Sequence, residues 1–287
     1  MSQIAGAPVS EAARRARKTW RTLEPAHGMV YFVPEAAEEY EHLGITGTAG
    51  YFASRAAPMG AVAAEVVVST FFNFNPELVH AAIPAVGEAA SPAELIAARF
   101  RAVDRSWRRL LGDATVESAE MARAAVLARP LAEEAARHPE GRPLAAAHAE
   151  IPWPAEPHLV LWLAQSILRE FRGDGHIAQL VVHGLTGLEA LVTHAAAGEV
   201  PGHLLRASRA WSDEAWTAAV AQLRVRGWLE PGDELAFTPW GESQRRAIED
   251  GTDTLAAAPY ESLGDEACSE LRTLVRPWSR AFADVLR

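Results

Sequence analysis

The chain has 287 residues, 49% of them apolar, with a formal net charge of -10 and a pI near 5.5. That composition supports one large or two modest packed domains and excludes wholesale disorder, and its acidity argues against a general nucleic-acid or anionic-membrane surface. A single cysteine, Cys268, excludes an intrachain disulfide and a cysteine-rich metal site, and with no apolar leader or long apolar run a cytoplasmic protein is expected.

Of the 27 basic residues only Lys18 is lysine, so 26 are arginine. With the richness in alanine this resembles the codon usage of a GC-rich genome, and arginine abundance by itself is no signal of phosphate recognition.

In chain order, Ser10 is expected to cap a helix that carries a basic face to Leu23 and stops before Pro25. His27 then falls in a loop ahead of the run Met29-Val30-Tyr31-Phe32, and Pro34 opens a helix ended by Gly44. In Tyr51 to Gly60 a lone arginine, Arg55, sits among small and aromatic residues. Burying a guanidinium costs several kcal/mol unless it is paired, so Arg55 must find a carboxylate, carbonyls or a bound anion, and Glu170 or Asp174 suits. Ala61 to Phe72 is apolar nearly all round and should be a central helix. Asn75 can cap the next helix, PELVHAAIP, which leaves Asn73 open as a pocket hydrogen-bonder. Two helices with a capping box at Ser91-Pro92-Ala93-Glu94 follow in 91–137 and read as scaffold. The proline-rich stretch His138 to Pro157 should be an extended crossover, its Trp153 packed on the bundle surface.

Leu159 to His194 holds the densest group of charges inside otherwise apolar helices. Leu159, Trp162, Leu163, Ser166, Ile167 and Glu170 recur at helical spacing. Gly173 is expected to end that helix and Asp174 to cap the next, which puts His176 in a first turn beside a positive helix end. The junction would gather Arg169, Glu170, Arg172, Asp174 and His176 at one corner, although such clusters also arise as capping and ion-pair networks.

Beyond Gly198 a short helix at 203–211, a helix capped by Ser212, a two-stranded turn at Leu229 to Thr238 and two further helices, 241–258 and 264–286, give the order of a winged helix-turn-helix. The expected fold is all-α: a helical bundle over 1–200, holding a ligand-binding domain, then a winged-helix-like domain with C-terminal helices over 201–287 and one small β-hairpin as its only sheet.

Leu223 to Leu229, Leu235 to Gly241 and the helix bearing Ile248, Thr252 and Asp253 resemble the recognition helix, wing and following helix of MarR-like winged-helix regulators. The whole chain resembles the actinobacterial helix-turn-helix family proteins, on the blocks Tyr51 to Pro58 (YFASRAAP), Phe72 to Pro76 (FNFNP), Leu168 to His176 (LREFRGDGH) and Thr252 to Pro259 (TDTLAAAP). The resemblance implies a fold and a homodimer paired through terminal helices, for which Leu271, Leu274, Val275, Trp278, Phe282 and Leu286 offer an apolar face. Within 201–250 six basic residues face eight acids, and the segment that would enter a groove opens on two acids, so DNA binding is the less favoured reading.

Three functions are weighed. The favoured one is a small-molecule binder in sensing, sequestration or biosynthesis, with Arg55, Arg169, Arg172, Asn73, His27, Tyr31 and Trp162 contacting the ligand. The second is an enzyme with His176 as acid or base and Asp174 or Glu170 orienting it. The third is a ligand-responsive transcriptional regulator. No nucleophile elbow, phosphate loop, dinucleotide fingerprint or zinc signature is present, and no metal or cofactor is assigned.

Overall fold

The computed structural model describes residues 9–198 and 200–286, so residues 1–8, Glu199 and Arg287, with the N-terminal stretch that was read as free of a leader, lie outside it. The helices, in order, are α1 (Glu11–Gly28), α2 (Pro34–Glu41), α3 (Ala49–Ala56), α4 (Ala64–Phe71), α5 (Pro76–Ala89), α6 (Pro92–Leu111), α7 (Asp113–Val116), α8 (Ala119–Ala135), α9 (Pro143–Ala149), α10 (Pro157–Val182), α11 (Gly187–Ala196), α12 (Gly202–Ser208), α13 (Asp213–Val225), α14 (Pro239–Leu255), α15 (Ala258–Leu263) and α16 (Asp265–Ala283). The fold is all-α. Among the described residues no strand forms, and the expected hairpin is reduced to one antiparallel bridge between Leu229 and Phe237.

Helix starts were legible because their caps are local chemistry. The hydroxyls of Ser10, Ser91 and Ser212 accept the amide hydrogens of Ala13, Glu94 and Ala215, Glu94 closes the capping box, and Asn75 caps α5. Helix ends went the other way. α1 continues through Pro25, carrying His27 into its last turn instead of a loop, because Leu23, Ala26 and Met29 are buried and their packing outweighs the one hydrogen bond that proline removes. The proline-rich crossover contains a helix of its own, α9, though Trp153 does pack half-buried against the bundle. α4 is shorter than expected and peripheral, with Val66 and Ser69 exposed on its outer side.

α10 is the central rod, buried along most of its first 19 residues and packed against α1, α6, α8, α9 and α14. Neither Gly173 nor Gly175 ends it. Each glycine costs a helix about 1 kcal/mol, but Phe171, Arg172 and Asp174 around them are buried, and Gly175 has a packing reason: a β-carbon there would come within 3.0 Å of Arg142 Nη1 and 3.3 Å of Leu255 Cβ.

Three apolar clusters meet around this rod. The main core joins Trp107, Trp162 and Phe171 to Leu271, Val275 and Phe282 of α16, a second packs α3, α4 and α5 around Phe52 and Phe71, and a third holds α11, α13 and α14 through Val192, Leu223, Trp228 and Ile248. Within the stretch 201–287, expected to form a second domain, α15 and α16 return to the bundle, where α16 runs beside α1, with Arg272 donating to Thr19 Oγ1 at 2.9 Å and Ser279 to the Thr22 carbonyl at 2.6 Å. Leu271, Val275, Trp278 and Phe282 are thus covered by the chain's own core, which removes the face on which the expected homodimer rested; the Leu286 side chain lies outside the described part. No helix of the described residues is long and apolar enough to cross a membrane.

Candidate functional site

An unbroken helix sorts the charges of α10 by face, because each residue turns about 100° from the last. Arg169, Arg172, His176 and Leu180 fall on the side that lines a cavity of about 510 Å³. Glu170 and Asp174, one turn apart, fall on the other side. The expected acid/base set is therefore divided, and neither carboxylate orients His176.

Glu170 is fully buried and accepts a two-pronged bond from Arg55, Nε at 2.8 Å and Nη2 at 2.7 Å, with Arg169 Nη1 at 3.0 Å. Burial alone would raise its pKa, but Arg169 and Arg55 outweigh that and hold it well below the usual carboxylate range. Arg55 spends its remaining edge on the Tyr51 hydroxyl at 2.9 Å and lies over the Phe71 ring at 4.4 Å. Asp174 accepts the Ala145 amide at 3.0 Å, capping the start of α9 from outside, and burial pushes its carboxyl up to about 7. His176 is held by Thr252 instead, Nδ1 to Oγ1 at 3.0 Å. That hydroxyl donates to the Ile248 carbonyl at 2.7 Å, so it can only accept from the ring, which leaves the proton on Nδ1 and a lone pair on Nε2. Burial lowers the His176 pKa to about 4, so the ring is neutral at ordinary pH.

The cavity lies where the three cores meet. Arg17, Trp20, Arg21 and Glu24 of α1 form one side and Arg245 and Glu249 of α14 another, and Tyr51 and Arg55 come from α3. Arg209, past the end of α12, closes it. Arg172 stands over the Trp20 ring at 4.4 Å, its Nη2 3.3 Å from Glu249 and 3.0 Å from Asp253. Its Nη1 is buried with no hydrogen-bond partner, as is the Nε of Arg209, which lies over the Phe74 ring at 5.0 Å. Burial lowers the pKa of Arg209, and Arg55 and Arg169 add repulsion, so like charges converge on this space.

An interlock holds Arg209 there. Phe72, with φ 51° and ψ -53°, makes a tight turn in which the Asn73 amide reaches the Phe71 carbonyl at 2.6 Å, a conformation rare for a residue with a side chain. Asn73 lines the cavity with its carbonyl accepting the Trp211 indole at 2.9 Å, while Asn75 donates to the Ala210 carbonyl at 2.8 Å and takes the Arg209 carbonyl on its amide at 3.0 Å. Gly187 sits against the same turn, where a β-carbon would fall 1.9 Å from the Phe72 carbonyl oxygen.

Arg55, Arg169, Arg172, Asn73 and His176 are thus brought to the cavity. His27, Tyr31 and Trp162 are not. They stand behind its Arg55–Glu170 wall in a buried polar chain: Arg99 Nη2 donates to the Tyr31 hydroxyl at 2.8 Å, that hydroxyl lies 3.0 Å from His27 Nε2, and His27 Nδ1 lies 2.9 Å from Ser166 Oγ. Burial keeps His27 neutral, its pKa well below the usual value. Arg99, within the segment read as scaffold, anchors this chain and lies 4.9 Å over the Trp162 ring. Arg17, Trp20, Arg209 and Arg245 were missed, since only tertiary structure brings α1, α12 and α14 to one place. Among the described residues no group of three or more His, Cys, Asp or Glu could hold a metal ion.

The charged cavity thus lies beside a unit in which α11 packs on both α12 and α13. The helix-turn-helix family model matches residues 16–286, and the chain belongs to that family. Comparison with curated proteins and with solved structures returns no match.

Proposed function

We propose that the protein binds a small molecule in the cavity between the bundle and the helix-turn-helix unit, in sensing, sequestration or an accessory biosynthetic role. The observation that carries this reading is a pair of buried guanidinium nitrogens, Arg172 Nη1 and Arg209 Nε, left without partners on the wall of a drug-sized cavity. Buried donors of that kind normally meet a hydrogen-bond partner, and a ligand supplies one. Native mass spectrometry of protein purified without additives tests it, together with thermal melting across a chemically varied metabolite set. A retained mass, or stabilisation by about 2.7 kcal/mol at a ligand concentration a hundredfold above Kd, is expected. A bare chain mass with no shift from any compound would overturn the reading.

The helix-turn-helix family, with the resemblance of Leu223 to Leu229 and Leu235 to Gly241 to MarR-like regulators, favours a second reading, a regulator in which α13 is the recognition helix and the Leu229–Phe237 bridge the remnant of a wing. The surface speaks against it. The exposed positions of α13 are Asp213, Glu214, Thr217, Ala218, Ala221, Gln222 and Val225, with no cation among them. Arg224 is turned onto the Glu230 carbonyl at 3.2 Å, and Arg226 pairs with Glu189 at 2.9 Å. A face that must displace counterions from phosphates needs free cations. No salt-dependent shift of promoter DNA is therefore expected, and tight binding that weakens with added salt would restore the regulator.

A further inference from the structure

Resting on the ligand-binding reading, we infer the chemical class of the ligand: an amphipathic organic dianion of the phosphate-ester kind. Its charged head lies among the cavity arginines and its apolar body on Leu180, Leu191 and Leu205. Charge carries the first half. Seven arginines line the cavity: Arg17, Arg21, Arg55, Arg169, Arg172, Arg209 and Arg245. Four carboxylates pair with them. Glu170 takes Arg55 and Arg169, Glu24 stands 3.6 Å from Arg169, and Glu249 and Asp253 are shared by Arg17, Arg172 and Arg245. Seven against four leaves three positive charges uncompensated, and two of the seven, Arg21 and Arg209, have no carboxylate partner among the described residues.

Arg172 is 7% exposed, Arg209 is half-buried, and each keeps one donor nitrogen unused. A neutral ligand would leave those charges unmet. A carboxylate would offset one, whereas a phosphate dianion offsets two and offers oxygens in several directions to guanidinium edges. The arginines are also held in place beforehand: Arg55, Arg172 and Arg209 each lie on an aromatic ring, and Arg55 is locked by Glu170 and Tyr51. Little side-chain freedom is then lost when the anion arrives.

Shape carries the second half. The cavity wall is not charged throughout, since Ile177 and Leu180 of α10, Ala190 and Leu191 of α11 and Leu205 of α12 face the same space. A bare inorganic ion would leave that apolar side unfilled in a space of about 510 Å³.

Calorimetric titration at fixed ionic strength with hexyl phosphate, inorganic phosphate, hexanol and hexyltrimethylammonium tests the assignment. Hexyl phosphate should bind at least about tenfold more tightly than inorganic phosphate, since several methylenes leave water, and the alcohol and the cation should not bind. Arg209→Met, which breaks no ion pair, should melt like the parent and weaken hexyl phosphate by about tenfold or more. Arg21→Met, on an exposed residue, should weaken it less. Inorganic phosphate binding as well as the ester would overturn the apolar half, and unchanged affinity in Arg209→Met would overturn the head-group half. Binding of hexanol or of the cation instead would overturn the class while small-molecule binding stood; silence from all four probes, with a bare mass in native spectrometry, would overturn both.

Discussion

Arg55 and Asp174 show how a single side chain's role depends on which helix face it occupies. Replacing Arg55 with methionine removes the two-pronged partner of a carboxylate with no exposed surface. Arg169 stays to compensate in part, so the expected loss is about 3 kcal/mol, measured by urea unfolding; a variant as stable as the parent would mean that the pair contributes nothing. Asp174 runs the other way. With its folded pKa up at about 7, the folded protein keeps a proton that the unfolded chain has released from about pH 4 upward. Its burial penalty is absent below about pH 4, grows as pH rises, and is complete above pH 7. Asp174→Asn, whose amide oxygen can still accept the Ala145 N–H, should equal the parent near pH 4 and exceed it by up to about 4 kcal/mol at pH 8; equal gains at both pH values would exclude this origin. Arg55 was legible because its neighbours offer it no acid. Asp174 was misread because glycine and aspartate together signal a helix junction, and the packing of α9 and α14 that keeps the helix going is written elsewhere in the chain.

Among the elements, the tight turn at Phe72 and the start of α11 are fitted so closely that glycine is required at 187. Gly187→Ala would drive a methyl into the Phe72 carbonyl, so α11 or the turn must shift. The expected cost is about 1–3 kcal/mol, with weaker ligand binding as Arg209 loses its register through the Asn75 and Trp211 contacts. Circular dichroism melting reads the first and calorimetry the second, and an unperturbed alanine variant would show that the interlock gives way easily. The FNFNP and LREFRGDGH blocks stood out in the sequence as units. Their partners were marked unevenly: Thr252 stood in the TDTLAAAP block, but nothing singled out the Arg209-Ala210-Trp211 turn, and among 26 arginines Arg17, Arg209 and Arg245 were hidden by abundance.

For the molecule as a whole, fold class could be read from periodicity and caps, but the packing of the last helices on the first could not, because such a return leaves no local trace. Leu271, Val275 and Phe282 looked like an outward apolar stripe, a pattern that is the same whether the covering partner is a second chain or α1 and Trp107 of this one; the Trp107 and Phe282 rings in fact lie 4.8 Å apart. A chain ended at Leu263 should lose cooperative thermal unfolding and bind a dye that reports exposed apolar surface. Sharp melting of that shortened chain would show that α16 is an appendage.

The parallel pairing of α1 with α16 also sets a timetable for synthesis. About 250 residues separate Arg15 from its partner Asp265. While the ribosome is still making the intervening helices, the part of α1 that faces α16 stays open even once α10 and α14 cover the rest, and at about 5–20 residues per second that interval lasts tens of seconds. Pausing of translation shortly before residue 265 should therefore lengthen that exposure.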